Sequence, residues 1–186
     1  MPDSRKPLTR VAHEILEQHL EPGDLAIDAT AGNGHDTLFL ARAVAPGGSV
    51  YAFDIQPQAL QQTRVRLEGE GVADRVTLFH AGHEAMMELV PESAHGHIAA
   101  VVFNLGYLPG SDKQTTTLTE TTLEALQHST TLLAPGGLLS VLAYRHHPGG
   151  WEESEAVGEF LGRLPGFRLE IRESPGPVLF VAHRDE

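Results

Sequence analysis

Four short stretches of this 186-residue chain carry residue types suited to small-molecule chemistry. Asp28-Ala29-Thr30-Ala31-Gly32-Asn33-Gly34-His35-Asp36 ends an apolar strand and turns through Gly-x-Gly into a helix. Glycine lets the backbone approach a ligand where a Cβ would collide, and the helix start offers free N–H groups. A carboxylate just before the turn, Asp28, suits a ligand that carries an ammonium and no phosphate. Asp54, followed by Ile55-Gln56, can accept both hydroxyls of a ribose. His80-Ala81-Gly82-His83 lies where an adenine edge and face would sit. Asn104 opens the loop Asn104-Leu105-Gly106-Tyr107-Leu108-Pro109-Gly110-Ser111-Asp112-Lys113. A ligand with an amine, a ribose and an adenine answers all of this, and S-adenosylmethionine (SAM) is such a ligand. Thr37 stands where a dinucleotide fingerprint has its third glycine, which argues against NAD and FAD.

These groups need a scaffold that brings them to one edge. Apolar residues at 8, 11, 12, 15, 16 and 20 give a helix before the first strand. Strands follow over 25–28, 49–54, 75–79, 98–103 and 138–143, separated by helices from about 37, 57, 84 and 116. The helix from Thr116 is expected to run to Ala134, before Pro135-Gly136-Gly137. Another helix covers about 152–161. The last two strands, 167–172 and 178–183, are joined by Ser174-Pro175-Gly176-Pro177, too short for a crossover, so they form an antiparallel hairpin. The fold class is α/β: a doubly wound, Rossmann-like sheet of seven strands, mostly parallel with one reversed strand, in a single domain over 1–186 with an N-terminal helix within 1–22. Ligands of such sheets bind beyond the carboxyl ends of the strands, where all four stretches fall.

Composition narrows the function. The formal net charge is −12, against broad nonspecific nucleic-acid binding, although Arg5, Lys6 and Arg10 cluster and Lys113 and Arg145 fall in two loops on one sheet edge. There are no cysteines, which removes thiolate catalysis and cysteine zinc sites. The N-terminal Met1-Pro2-Asp3-Ser4-Arg5-Lys6 has no apolar signal core and no run is long enough to span a membrane, so a cytoplasmic protein without membrane contact is expected. His80-x-x-His83 and His95-Gly96-His97 lack carboxylates at ligand spacing, so no metal is expected. His13, His19 and His128 read as helix-surface residues, and His146-His147 as a pair on a loop facing the site.

The motifs, in order, resemble those of the rRNA methylase family, whose characterised members are the MnmM-type tRNA methyltransferases. The matching stretches are Asp28 to Asp36, Phe53-Asp54-Ile55-Gln56, Asn104 to Gly110 with Asp112-Lys113, and Tyr144 with His147-Pro148-Gly149-Gly150. The resemblance implies a SAM-dependent enzyme that methylates the 5-aminomethyl group of the wobble 2-thiouridine, with the anticodon region of tRNA as partner. A homodimer is among the expected assemblies. The cofactor candidates are Asp28, Gly32, Asn33, Gly34, Asp36, Asp54, Gln56, Gly82 and His83. The chain departs from the family at Gly82, usually Ser, at Ser111, usually Gly, and at Arg145-His146, usually His-Gly.

Methyl transfer to nitrogen is an in-line displacement that needs a neutral lone pair. The Asn104 carbonyl can accept N–H bonds from an amine and aim that lone pair, so much of the catalysis is positioning. Tyr107 can stack on a base. The amine's proton can go to Asp112, His146 or water. Arg10, Lys113 and Arg145 are the candidates for RNA contact. A methyltransferase acting on rRNA or a small molecule, and a noncatalytic nucleotide-binding module, are the alternative readings.

Overall fold

The computed structural model describes residues 6–107 and 116–186. Arg5, Asp112 and Lys113, named above, lie outside them. Helix α1, Leu8–His19, buries Leu8, Ala12 and Leu16, one residue per turn along a single stripe. The alternating units follow: β1 (Leu25–Asp28), α2 (His35–Ala43), β2 (Ser49–Asp54), α3 (Pro57–Gly69), β3 (Val76–His80), α4 (Met86–Leu89), β4 (Ile98–Leu105), α5 (Thr119–Leu132), β5 (Leu133–Tyr144) and α6 (Gly150–Gly162). Strands β6 (Phe167–Glu173) and β7 (Pro177–Arg184) close the chain.

The seven strands run in the order β3-β2-β1-β4-β5-β7-β6. The first five are parallel where they pair, and β7 is antiparallel to both β5 and β6. The expected doubly wound sheet with one reversed strand is therefore the observed one. Alternation along each strand feeds two cores. On one face Ile27, Phe53, Val101 and Phe103 pack with Met86, Leu126, Leu132 and Val157. On the other, Ala26, Val50, Ala100 and Val102 pack with Leu8, Leu16, Leu40 and Leu67. None of the described helices is long and apolar enough to cross a membrane.

One boundary differs from expectation. Helix α5 starts at Thr119 and stops at Leu132, and β5 begins at Leu133, five residues earlier than its apolar run suggests. Leu133 pairs with Ile98 and Leu138 with Ala100, so Pro135-Gly136-Gly137 forms an irregularity inside the strand. Pro135 cannot continue a helix and biases the residue before it to extended backbone, while Gly136 takes a positive φ of 76°.

Candidate active site

The Gly-x-Gly turn is stitched to the sheet on both sides. Ala29 N donates to Val102 O at 2.8 Å and Ala31 N to Phe53 O at 2.8 Å. Gly32 N donates to Asp54 Oδ2 at 2.8 Å. Gly34 caps α2 in the left-handed region, φ 80°, and a Cβ there would lie 2.8 Å from the Thr63 Cα, so only glycine fits. From α3, Thr63 Oγ1 donates to Gly32 O at 3.0 Å and Arg66 Nε to Asn33 O at 2.8 Å.

Asp28 corrects one expectation. Its side chain is wholly buried and does not line the cavity. It accepts from Thr37 Oγ1 at 2.6 Å and from Thr30 N at 3.1 Å. Burial, with the charges of Asp36 and Asp54 nearby, pushes its pKa up to about 7 against the pull of those two hydrogen bonds. Asp28 therefore shapes the turn from beneath through these two hydrogen bonds. Thr37 replaces the fingerprint glycine because its hydroxyl is the partner of that carboxylate.

A cavity of about 250 Å³ opens over the carboxyl ends of β1, β2 and β4, lined by Gly32, Asp54, Gln56, Gly82, Asn104 and Tyr107 among others. Asp54 Oδ1 accepts from Gln56 N at 2.8 Å and Oδ2 from Gly32 N, and each oxygen keeps a further lone pair for a hydroxyl. The Glu84 carboxylate fills the space that a side chain at Gly82 would occupy, so the family's usual serine would have to displace it. His83 is part of the cavity wall and packs against Phe103, ring centroids 5.5 Å apart, and burial pushes its pKa down, so the ring is neutral at physiological pH. Asn33, Gly34 and Asp36 are not among the residues that line it.

The other half of the cavity is built around Asn104. Its backbone N donates to Thr30 Oγ1 at 2.7 Å, and its amide Nδ2 donates to Asp36 Oδ2. Asp36 Oδ1 also receives His13 Nε2 at 2.6 Å. Burial alone would raise the Asp36 pKa, but the hydrogen bonds from His13 and Asn104 and the nearby His13 and His35 rings outweigh it and hold the carboxyl below its usual range. Buried Glu153, in the first turn of α6, accepts from Thr117 Oγ1 at 2.6 Å and Thr122 Oγ1 at 2.7 Å. Thr117 Oγ1 in turn accepts from Gly106 N at 3.0 Å, which ties together the two chain ends flanking residues 108–115. Tyr107 meets His147 edge-to-face, centroids 6.2 Å apart.

His146 is corrected: its Nε2 donates to Pro175 O at 2.9 Å in the β6–β7 turn, and His147 is the member of the pair beside Gly106 and Tyr107. Arg145 is pinned to the same turn, donating to Ser174 O at 2.9 Å and Gly176 O at 3.2 Å, and its guanidinium lies 4.9 Å from the centroid of the Trp151 ring, itself 52% exposed. Arg10 is exposed and 3.5 Å from Glu14, which also pairs with Lys6. Expected as a surface residue, His13 is instead half-buried, and so is its neighbour in role, Thr30. Sequence reasoning missed both, along with Glu153 and Trp151. No periodic signal marks them, because each partner lies on another element.

The model of the family described as "Putative rRNA methylase" matches residues 50–174. The chain belongs to this family. It is 46% identical to the Arabidopsis thaliana protein named tRNA (mnm(5)s(2)U34)-methyltransferase, chloroplastic, over 87% of this chain, and spans 61% of that relative's length. Among solved structures, a "putative rRNA-methylase" from Clostridium thermocellum superposes with a TM-score of 0.91 at 35% identity, covering 96% of this chain and 98% of the other. A "putative methyltransferase" from Streptococcus mutans in complex with SAH superposes with a TM-score of 0.85, also at 35% identity and with the same coverage. The family's fold is that of SAM-dependent methyltransferases, and the cavity over β1, β2 and β4 is its ligand end.

Proposed function

We propose that this protein is a SAM-dependent methyltransferase that N-methylates the 5-aminomethyl group of the wobble 2-thiouridine in tRNA. The observation that carries the reading is the amide of Asn104 at the cavity wall, its nitrogen committed to Asp36 and its oxygen thereby turned away from that carboxylate. An amide oxygen in that place accepts an N–H from a primary amine and directs its lone pair. The identity to the Arabidopsis protein supports the same substrate.

The residues present fit the cofactor. Asp54 and Gln56 would hold the ribose, the Gly32 turn the amino-acid part, and the wall at Gly82 and His83 the adenine. Bound SAM supplies an electrophilic methyl group on a sulfonium. Asn104 would aim the neutral amine at that methyl, and the proton the amine must first lose would go to Asp112 or to water. Tyr107 exposes aromatic surface at the cavity, and Tyr144 and Trp151 are exposed on a later segment of the chain, all suited to stacking unpaired bases. With a net charge of −12 and Lys6 paired to Glu14, binding should rest on few phosphate contacts and weaken only gently with salt. The cytoplasmic setting belongs to this proposal.

The test is nucleoside mass spectrometry of tRNA from a strain lacking the gene, with the purified protein and SAM added back. Accumulation of the unmethylated aminomethyl nucleoside, cleared on addition, is the expected result. Unaltered tRNA with a methyl missing from rRNA would overturn it.

A further inference from the structure

Helix α1 lies outside the strand–helix alternation that builds the cavity, yet it sends one polar side chain into the site. His13 Nε2 is 2.6 Å from Asp36 Oδ1. An ionised carboxylate only accepts, so the imidazole N–H donates. The His13 ring also stacks on Phe39, centroids 4.1 Å apart and planes within 4°. Asp36 and Phe39 are three residues apart on α2 and share a face, so α2 grips the imidazole by its edge and by its plane.

The other Asp36 oxygen takes the Asn104 amide. If that amide turned over, its oxygen would face the carboxylate, a repulsive arrangement. The backbone N of Asn104, bonded to Thr30 Oγ1, fixes the base of the side chain. Asn104 lines the cavity and Asp36 does not, so the chain of contacts runs outward: cavity, Asn104, Asp36, His13. Remove the imidazole donor and, among the described residues, the Asn104 amide is left as the side-chain hydrogen-bond partner of Asp36, whose carboxylate is then held from one side.

We propose that His13 is a positioning residue for methyl transfer: through the Asp36 carboxylate it fixes the Asn104 amide with its oxygen toward the acceptor amine. This rests on the function proposed above. It gives α1, docked through Leu8, Ala12 and Leu16, a role in the chemistry as well as in the core.

Two substitutions separate the donor from the ring. His13→Phe keeps the stack on Phe39 and loses the N–H. His13→Gln keeps an N–H donor and loses the ring. Single-turnover methylation of undermethylated tRNA at saturating SAM should be about tenfold slower in His13→Phe, with affinity for S-adenosylhomocysteine and KM for tRNA unchanged. His13→Gln should recover most of the rate. The reverse order, slow Gln and normal Phe, or a loss in Phe matched by weaker S-adenosylhomocysteine binding, would overturn the proposal.

A second readout does not depend on the substrate. In the complex with S-adenosylhomocysteine, the side-chain NH2 signals of Asn104, assigned by their disappearance in Asn104→Ala, should shift and exchange faster in His13→Phe and return in His13→Gln. Unmoved signals in His13→Phe overturn the role of His13 even if tRNA proves not to be the substrate. If wild-type protein methylates no tRNA while these signals respond as expected, the substrate assignment fails and the positioning contact stands.

Discussion

The two halves of the cavity are held in different ways. Around the cofactor end, most contacts use backbone groups of the turn itself: Gly32 N and Gln56 N on Asp54, Thr30 N on Asp28, Gly32 O under Thr63. Around the acceptor end, side chains meet across the fold. Asn104 reaches Asp36 across 68 positions of sequence, and Glu153 reaches back 36 positions to Thr117. The first half forms once three neighbouring strand–helix units have packed. The second exists only when α1, α2, β4 and α6 are all in place. The cofactor end can thus be common to many proteins of this fold, while the acceptor end is free to specify one substrate.

Substitutions can break that contrast or sharpen it. The largest expected effect is at Asn104. Asn104→Ala should lower kcat by about a hundredfold, on the order of 3 kcal/mol, because the reacting amine is no longer aimed. Binding of S-adenosylhomocysteine should stay near wild type, and a wild-type single-turnover rate would remove Asn104 from the acceptor half. Next comes Asp54→Ala. Loss of two hydroxyl partners should cost roughly 2–3 kcal/mol of S-adenosylhomocysteine affinity by calorimetric titration, at about 1–1.5 for each hydrogen bond. If the affinity holds in a folded variant, the ribose lies elsewhere.

Asp28 tests whether the turn's support is structural. Its folded pKa of about 7 lies well above the ordinary aspartate value of 3.8. Such a group contributes stability that is complete below the unfolded pKa and lost as pH rises through the folded one. Asp28→Asn carries no such dependence, and the amide can still accept from Thr30 N while donating to the Thr37 hydroxyl. The Tm of the variant relative to wild type should therefore climb between pH 5 and pH 8, by a few degrees. A constant difference across that range would show that Asp28 does not titrate there. The smallest effect is expected at the exposed ring beside Arg145: Trp151→Ala should raise the KM for tRNA by about fivefold, near the low end of base–aromatic stacking, and leave S-adenosylhomocysteine binding unchanged.

The contrast also marks how far the sequence could be read. The strands and the closing hairpin are local: a glycine turn, a carboxylate at a strand end and an apolar run each announce themselves in a few residues. Asn104 was legible for the same reason. His13 was not, because nothing in the run from Leu8 to His19 says which element its second face meets. Asp28 was legible as a strand-end carboxylate, but its bond to Thr37 was not. Its buried state depends on Thr37, and a threonine at that position reads only as a missing glycine. His146 and His147 are adjacent, and only the course of the loop decides which of the two faces Tyr107. The early start of β5 was hidden by Pro135-Gly136-Gly137, which signal a turn and form an irregularity within a strand.

The place of β7 bears on how the molecule is made. It is the last strand in chain order, yet it lies inside the sheet, between β5 and β6. Residues 138–143 of β5 are buried throughout. Until β7 arrives, that strand presents an unpaired apolar edge, the kind of template on which other chains assemble. At the usual rate of roughly 5–20 residues per second, the nascent chain carries this edge for some seconds after β5 is finished. Translation speed through α6 and β6 is therefore a determinant of yield, and slowing it would favour aggregation over folding.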